Sequence, residues 1–106
     1  MSAVDPGAFF FLTGEAHALL LSGRYSECIE FARRSAATYD GWDSTYWYLA
    51  AACGHLGRTD EGNKAIAKIL SLSPGTTVSR IRNLPIQDET RLAILLDGLR
   101  KAGLPE

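Results

Sequence analysis

Leu21-Ser22-Gly23-Arg24-Tyr25-Ser26-Glu27 returns as His55-Leu56-Gly57-Arg58-Thr59-Asp60-Glu61, with Gly23 and Gly57 set 34 residues apart. A fixed period near 34 residues is the mark of a helical-hairpin repeat. One such unit cannot bury its own apolar face, so neighbouring units complete each other's core and the chain reads as a short array. The functional question therefore moves from catalysis to contact.

The glycines set the register: a degenerate first hairpin over residues 9–42, a second over 43–76, and a short helix plus a capping helix over 77–106, all in one domain of residues 1–106. Within the first unit a helix from about residue 6 to Ser22 stops where Gly23 allows positive φ, and Ser26 stands where it could cap the next helix. In the second, Asp43 or Ser44 caps a helix that stops at Gly57, and Asp60 takes the place of Ser26. Small residues facing each other, Ala16 with Cys28 and Ala50 with Gly62, let paired helices approach closely. Leu19, Leu49, Leu56, Ile66, Ile69 and Leu70 fill the space between layers at helical spacing. Beyond Pro74 a short helix over residues 76–84 is expected to end before Pro85. A last helix then carries its own signals: Asp88 as N-cap, a stripe of Leu92, Leu95, Leu96 and Leu99, and the stop Gly103-Leu104-Pro105, with Leu104 able to fold back on Leu99.

These small and large positions resemble the tetratricopeptide repeat (TPR) family, most closely in the second unit, where Tyr46, Leu49, Ala50, Gly57, Gly62 and Pro74 fall on signature positions. The first unit departs from the pattern at Glu15 and Asp40, and Ile69 stands where the family has a small residue. The resemblance implies an all-α fold of TPR-like helical hairpin repeats, an α-α superhelix, closed by a C-terminal capping helix. Residues 43 to 106, above all the ending Leu-Asp-Gly-Leu-Arg-Lys-Ala-Gly-Leu-Pro-Glu, are similar to the C-terminal TPR region of bacterial class III adenylate or guanylate cyclase-type signalling proteins. No cyclase domain is present in the sequence, so what that likeness implies is an accessory role: a non-enzymatic protein–protein interaction module of a bacterial signalling or regulatory system. The alternative is a structural cap or spacer that stabilises an upstream domain without a ligand of its own.

Charge and cysteine usage narrow the classes further. Eleven basic and twelve acidic residues, well mixed, leave a net charge of −1, which offers no basic field for nucleic acid or an anionic membrane. The apolar run Ala8-Phe9-Phe10-Phe11-Leu12 follows no Lys or Arg and is soon interrupted by Glu15 and His17, unlike a signal peptide or a membrane span. Cys28 and Cys53 form no Cys-x-x-Cys pair and read as buried free thiols, in keeping with a cytoplasmic protein. His17 and His55 lack a third ligand, so no metal or other cofactor is implied.

The resemblance implies a candidate site on the concave face formed by the first helix of each unit. In this register it receives Thr13, His17 and Leu20 from the first unit and Trp47, Ala51, Gly54 and His55 from the second, facing a protein or peptide partner. Trp47 has the profile of an interface anchor, a large apolar area with one N–H, and equally that of a residue packed beneath the N-terminal segment. Gly54, inside a helix, calls for the close approach of another backbone: a peptide in the groove, or the next helix near Val78. The positions that hold a chaperone's carboxylate in some TPR proteins are here Thr13, His17, Tyr48, Val78 and Arg82, of which Arg82 alone has suitable chemistry. Arg80 and Arg82 could form a small anion-contacting patch or be solvated charges. Phe9, Phe10, Phe11 and Leu12 make an apolar end that needs a cover: a further repeat, the chain itself, or a second copy in a C2 homodimer.

Overall fold

The computed structural model describes residues 7–85 and 88–106. Six helices and no strand occur among them: α1 (Ala8–Leu21), α2 (Tyr25–Thr38), α3 (Asp43–Leu56), α4 (Thr59–Leu72), α5 (Val78–Arg82) and α6 (Glu89–Ala102). The fold is all-α. Residue 6, the expected start of the first helix, lies outside the described residues.

The repeated glycines stop their helices as the sequence suggests. Gly23 and Gly57 take φ of 77° and 74°, and each turn closes in the same way. The N–H of Arg24 reaches back to the Leu19 carbonyl and that of Arg58 to the Cys53 carbonyl, both at 2.9 Å. This is the Schellman pattern, which satisfies carbonyls that the helix end would otherwise leave open. The end of α6 repeats it, with Leu104 N–H on the Leu99 carbonyl at 3.0 Å and the Leu104 side chain buried.

Three of the expected caps need correction. The Schellman turn delivers the chain straight into the next helix, so α2 begins at Tyr25 and α4 at Thr59, which places Ser26 and Asp60 inside the first turn. Asp43 opens α3 but caps nothing; its carboxylate accepts from Ser73 Oγ at 2.8 Å, joining the two ends of the second hairpin. Asp88 does cap α6, accepting from the N–H groups of Thr90 and Arg91 at 2.9 and 3.2 Å. The short helix also ends early, at Arg82, and Thr77 caps its start.

The helices pack as successive antiparallel pairs, α1 with α2 and α3 with α4, and α2 also lies against α3. Ala16, Cys28 and Ala50 are fully enclosed where the helices meet, and Leu19, Leu49, Ile66 and Ile69 fill the interior. Leu56 is the exception among the expected core leucines: one residue before the turn, it is 40% exposed. Beside the apolar core runs a hydroxyl tie, in which Thr13 Oγ1 of α1 lies 2.7 Å from Ser35 Oγ of α2 and 2.8 Å from Thr45 Oγ1 of α3. Ser35 Oγ donates in turn to the Phe9 carbonyl at 2.9 Å. Three helices are thus fixed in register by buried polar groups that satisfy one another.

The last helix takes a place that the repeat register does not foretell. Instead of stacking only on α4 and α5, α6 lies along α3, and it also touches α1. Glycines make this possible. A Cβ at Gly54 would overlap the Gly98 carbonyl oxygen, and one at Gly98 would stand 2.5 Å from the Ala51 carbonyl oxygen and 2.8 Å from its Cα. The neighbour that explains Gly54 is therefore Gly98 of α6, not the helix that begins at Val78. Gly62 of α4 belongs to the same contact, since a Cβ there would meet Ala102 at 3.2 Å.

Replacing glycine by alanine in an exposed helix interior normally stabilises by about 1 kcal/mol. Gly98→Ala should do the reverse, because the added methyl meets backbone that cannot rotate away, and overpacking of this kind costs roughly 1–3 kcal/mol. Urea unfolding of the Gly98→Ala protein is expected to show a net loss of stability. A gain would mean that α6 does not lie on α3.

Candidate functional site

The placement of α6 decides which residues of the expected concave face remain available. Ala51 is fully buried beneath it and Gly54 is held against Gly98. His55 is enclosed from two sides: its ring stacks on Tyr25, centroids 4.6 Å apart, and its Nε2 lies 2.8 Å from the Ile94 carbonyl oxygen of α6. A carbonyl only accepts, so Nε2 carries the proton and donates. Thr13 and Leu20 also leave the expected site. Thr13 is turned into the hydroxyl tie, and Leu20 is wholly within the core.

Two members of the expected set, His17 and Trp47, remain beside open space. They line a cavity of about 440 Å³ together with Tyr48 of α3 and Asp88, Arg91, Leu92 and Leu95 of the α6 end. That volume falls within the usual range for small-molecule and side-chain pockets. Its wall is aromatic: the His17 ring lies parallel to Tyr48 with centroids 4.4 Å apart. Burial pushes the Tyr48 phenol up to about 12, so it stays protonated in any ordinary buffer. The His17 imidazole is lowered from its usual value, first by burial and then by the positive charge of Arg91. Neutral histidine is thus the form that the site favours at neutral pH.

Trp47 stands between this cavity and a second, smaller one that also includes Asp43, Ser73, Thr76, Arg80, Ile81 and Leu84. Its indole N–H is buried and has no acceptor among the described residues. A buried donor left unpaired costs about 1–3 kcal/mol, so the indole is held by its apolar packing and not by its polar atom. At the rim, Arg91 Nε lies 3.4 Å from Asp88 Oδ2, and both side chains are largely exposed.

Arg80 and Arg82 do not converge. They border different depressions, Arg80 one that also includes Asp43 and Arg82 one that also includes Glu89, Asp97 and Arg100. The thiols lie apart from the cavity. Burial, with Cys53 as the second cause, pushes Cys28 up to about 12, and Cys53 is raised mainly by burial. A thiol kept protonated is a poor nucleophile. Among the described residues no three His, Cys, Asp or Glu side chains stand close enough together to hold a metal ion, and no helix is long and apolar enough to cross a membrane.

Phe9, Phe10, Phe11 and Leu12 divide between inside and outside. Phe9 packs against Tyr39 and Trp42, with centroids 4.8 and 5.6 Å away, and Leu12 is half-buried, whereas Phe10 and Phe11 are mostly exposed. Sequence reasoning missed Arg91, Leu92 and Leu95 as cavity residues, since nothing in the period places α6 on α3. Gly98, a glycine in mid-helix like Gly54, was the available signal. Comparison of the chain with known protein families, with curated proteins and with solved structures finds no match.

The depressed His17 sets the sign of a pH effect. A histidine whose folded value lies below its unfolded one leaves stability intact above about 6.5 and removes it as pH falls through that value towards the lower, folded one. Thermal unfolding followed from about pH 8 to about pH 5 should show wild type losing more stability than His17→Gln over that window. Equal losses would mean that His17 is solvated and not confined against Tyr48.

Proposed function

We propose that the chain is a non-enzymatic protein–protein interaction module of TPR-like construction, serving a bacterial signalling or regulatory system. Its likeness to a TPR array rests on the 34-residue period and on two antiparallel helix pairs stopped by equivalent glycines. The observation that carries the functional reading is the cavity between α1, α3 and α6, where Trp47, Tyr48, His17, Leu92 and Leu95 present aromatic and aliphatic surface under a single charged rim pair. An aromatic-walled hollow of this size suits one apolar anchor side chain of a partner, with Arg91 at the rim to donate to a carbonyl or carboxylate beside it. The buried thiols, kept protonated, weigh against a cysteine nucleophile.

One observation favours a second reading. Three of the seven residues of the expected face, Ala51, Gly54 and His55, are covered by α6, as a structural cap or spacer would have it. The two readings differ in what the remaining cavity does. Arg91 is exposed, so Arg91→Glu leaves the core untouched while reversing the charge at the rim.

Immobilised wild-type and Arg91→Glu proteins, presented with a bacterial lysate and compared by quantitative mass spectrometry, separate the readings. The interaction reading expects proteins retained by wild type and depleted at least about tenfold, or 1.4 kcal/mol, by Arg91→Glu, with unchanged circular dichroism. Identical retention by the two would leave the spacer reading standing.

A further inference from the structure

Phe10, Phe11 and Tyr39 are 62%, 74% and 49% exposed, and they lie together at the end of the bundle where α1 begins and α2 hands over to α3. At roughly 200 Å² for each whole aromatic side chain, they present on the order of 400 Å² of aromatic surface. A patch of that size matches the largest apolar patch on a typical monomer, and such patches are often contact sites. Phe10 stacks on Trp42 with planes 12° apart, and Phe11 meets Phe10 edge-on at 6.4 Å. Beside Phe11, therefore, the rings of Phe9, Phe10, Tyr39 and Trp42 and the bare backbone of Gly41 enclose an open depression of about 310 Å³. At about 30 Å³ per water molecule, there is room for one phenyl ring. The same face thus carries a projecting ring and an aromatic hollow.

Among the described residues no charged side chain lines the hollow. Residues 8–14 carry no charge, and the nearby Asp40 carboxylate is drawn to Lys68 at 3.5 Å. An occupant must then be apolar and uncharged. The turns at the other end of the helices present Arg24, Glu27 and Arg58, all substantially exposed, so a head-to-tail contact would set charges into an aromatic hollow. A two-fold arrangement avoids this, because each copy receives from the other the ring that it also offers.

We propose that this end is a self-association surface, with Phe11 of each copy seated in the Phe9, Phe10, Tyr39 and Trp42 hollow of a second copy in an isologous dimer. The surface is separate from the Trp47 cavity, and the proposal does not rest on the groove reading. A patch of this size is about half of what each partner contributes to a standard stable interface, roughly 800 Å². The dimer is accordingly reversible, with dissociation in the micromolar range or weaker.

Sedimentation velocity and light scattering on the whole chain, from about 1 µM to about 1 mM, test it. Wild type is expected to pass from monomer to dimer, and Phe11→Ser, which removes the projecting ring, and Tyr39→Ser, which removes a wall of the hollow, each to raise the midpoint at least tenfold. Both side chains are exposed enough for the variants to keep their helix content, which circular dichroism verifies. A wild type that stays monomeric throughout, a trimer or open-ended polymer, or either variant dimerising at the wild-type midpoint overturns the proposal. The lysate comparison with Arg91→Glu reads the other surface, so failure of one leaves the other intact.

Discussion

The contact between the backbones of α3 and α6 governs the shape of this molecule. Gly54 and Gly98 each lack the atom that would collide with the other helix, and Ala51 and Ala102 flank them with single methyl groups. Remove that closeness and α6 must stand further off, with Leu95, Leu96 and Leu99 no longer fully enclosed. A chain of about one hundred residues has little apolar burial to spare, so a displaced helix is a serious loss. The same contact lays α6 across the face where a two-hairpin array would otherwise remain open. Stability and the closing of the groove are one event.

Around that contact the polar groups take the part of register pins. Thr13, Ser35 and Thr45 come from three different helices and satisfy one another's hydroxyls, so none can shift by a turn without stranding a buried donor. The C-terminal residues do similar work for α5, with the Pro105 and Glu106 carbonyls accepting from the N–H groups of Val78 and Ser79 at 2.9 and 3.0 Å. Arg100 then holds the Glu106 carboxylate at 3.0 Å. A helix of five residues is too short to persist by itself, and here the chain end supplies partners for its first amides.

What the sequence made legible is what local geometry dictates. The glycine stops at Gly23, Gly57 and Gly103, the Asp88 cap and the helical stripes could be read because positive φ, capping and periodicity depend on a few neighbouring residues. Ser26 and Asp60 were misplaced by a small margin with a clear cause: they suit a cap by composition, but the six-residue Schellman closure starts each helix before them. The candidate face failed differently. Thr13 and Leu20 were assigned to it from the register that the repeat resemblance implies, whereas in this chain they turn towards the neighbouring helices and are buried. Ala51 and Gly54 lie on a face that has an intramolecular occupant, fixed by a contact 44 residues away in sequence, between Gly54 and Gly98.

Trp47 keeps its indole N–H without an acceptor among the described residues, although the carboxylates of Asp88 and Asp43 line the two hollows beside it. A core assembled for packing alone would have little reason to bury a tryptophan in this way, since phenylalanine would fill similar space with no donor to strand. An indole beside two hollows, within a helix turn of a tyrosine–histidine stack, is what the proposed partner-binding role would use. The aromatic end around Trp42 differs in kind. There Phe11 projects beside a shallow hollow of stacked rings, whereas the Trp47 recess has Asp88 and Arg91 at its rim. If both proposals hold, the two tryptophans divide the molecule between an end that meets its own copy and a side that meets an unlike partner.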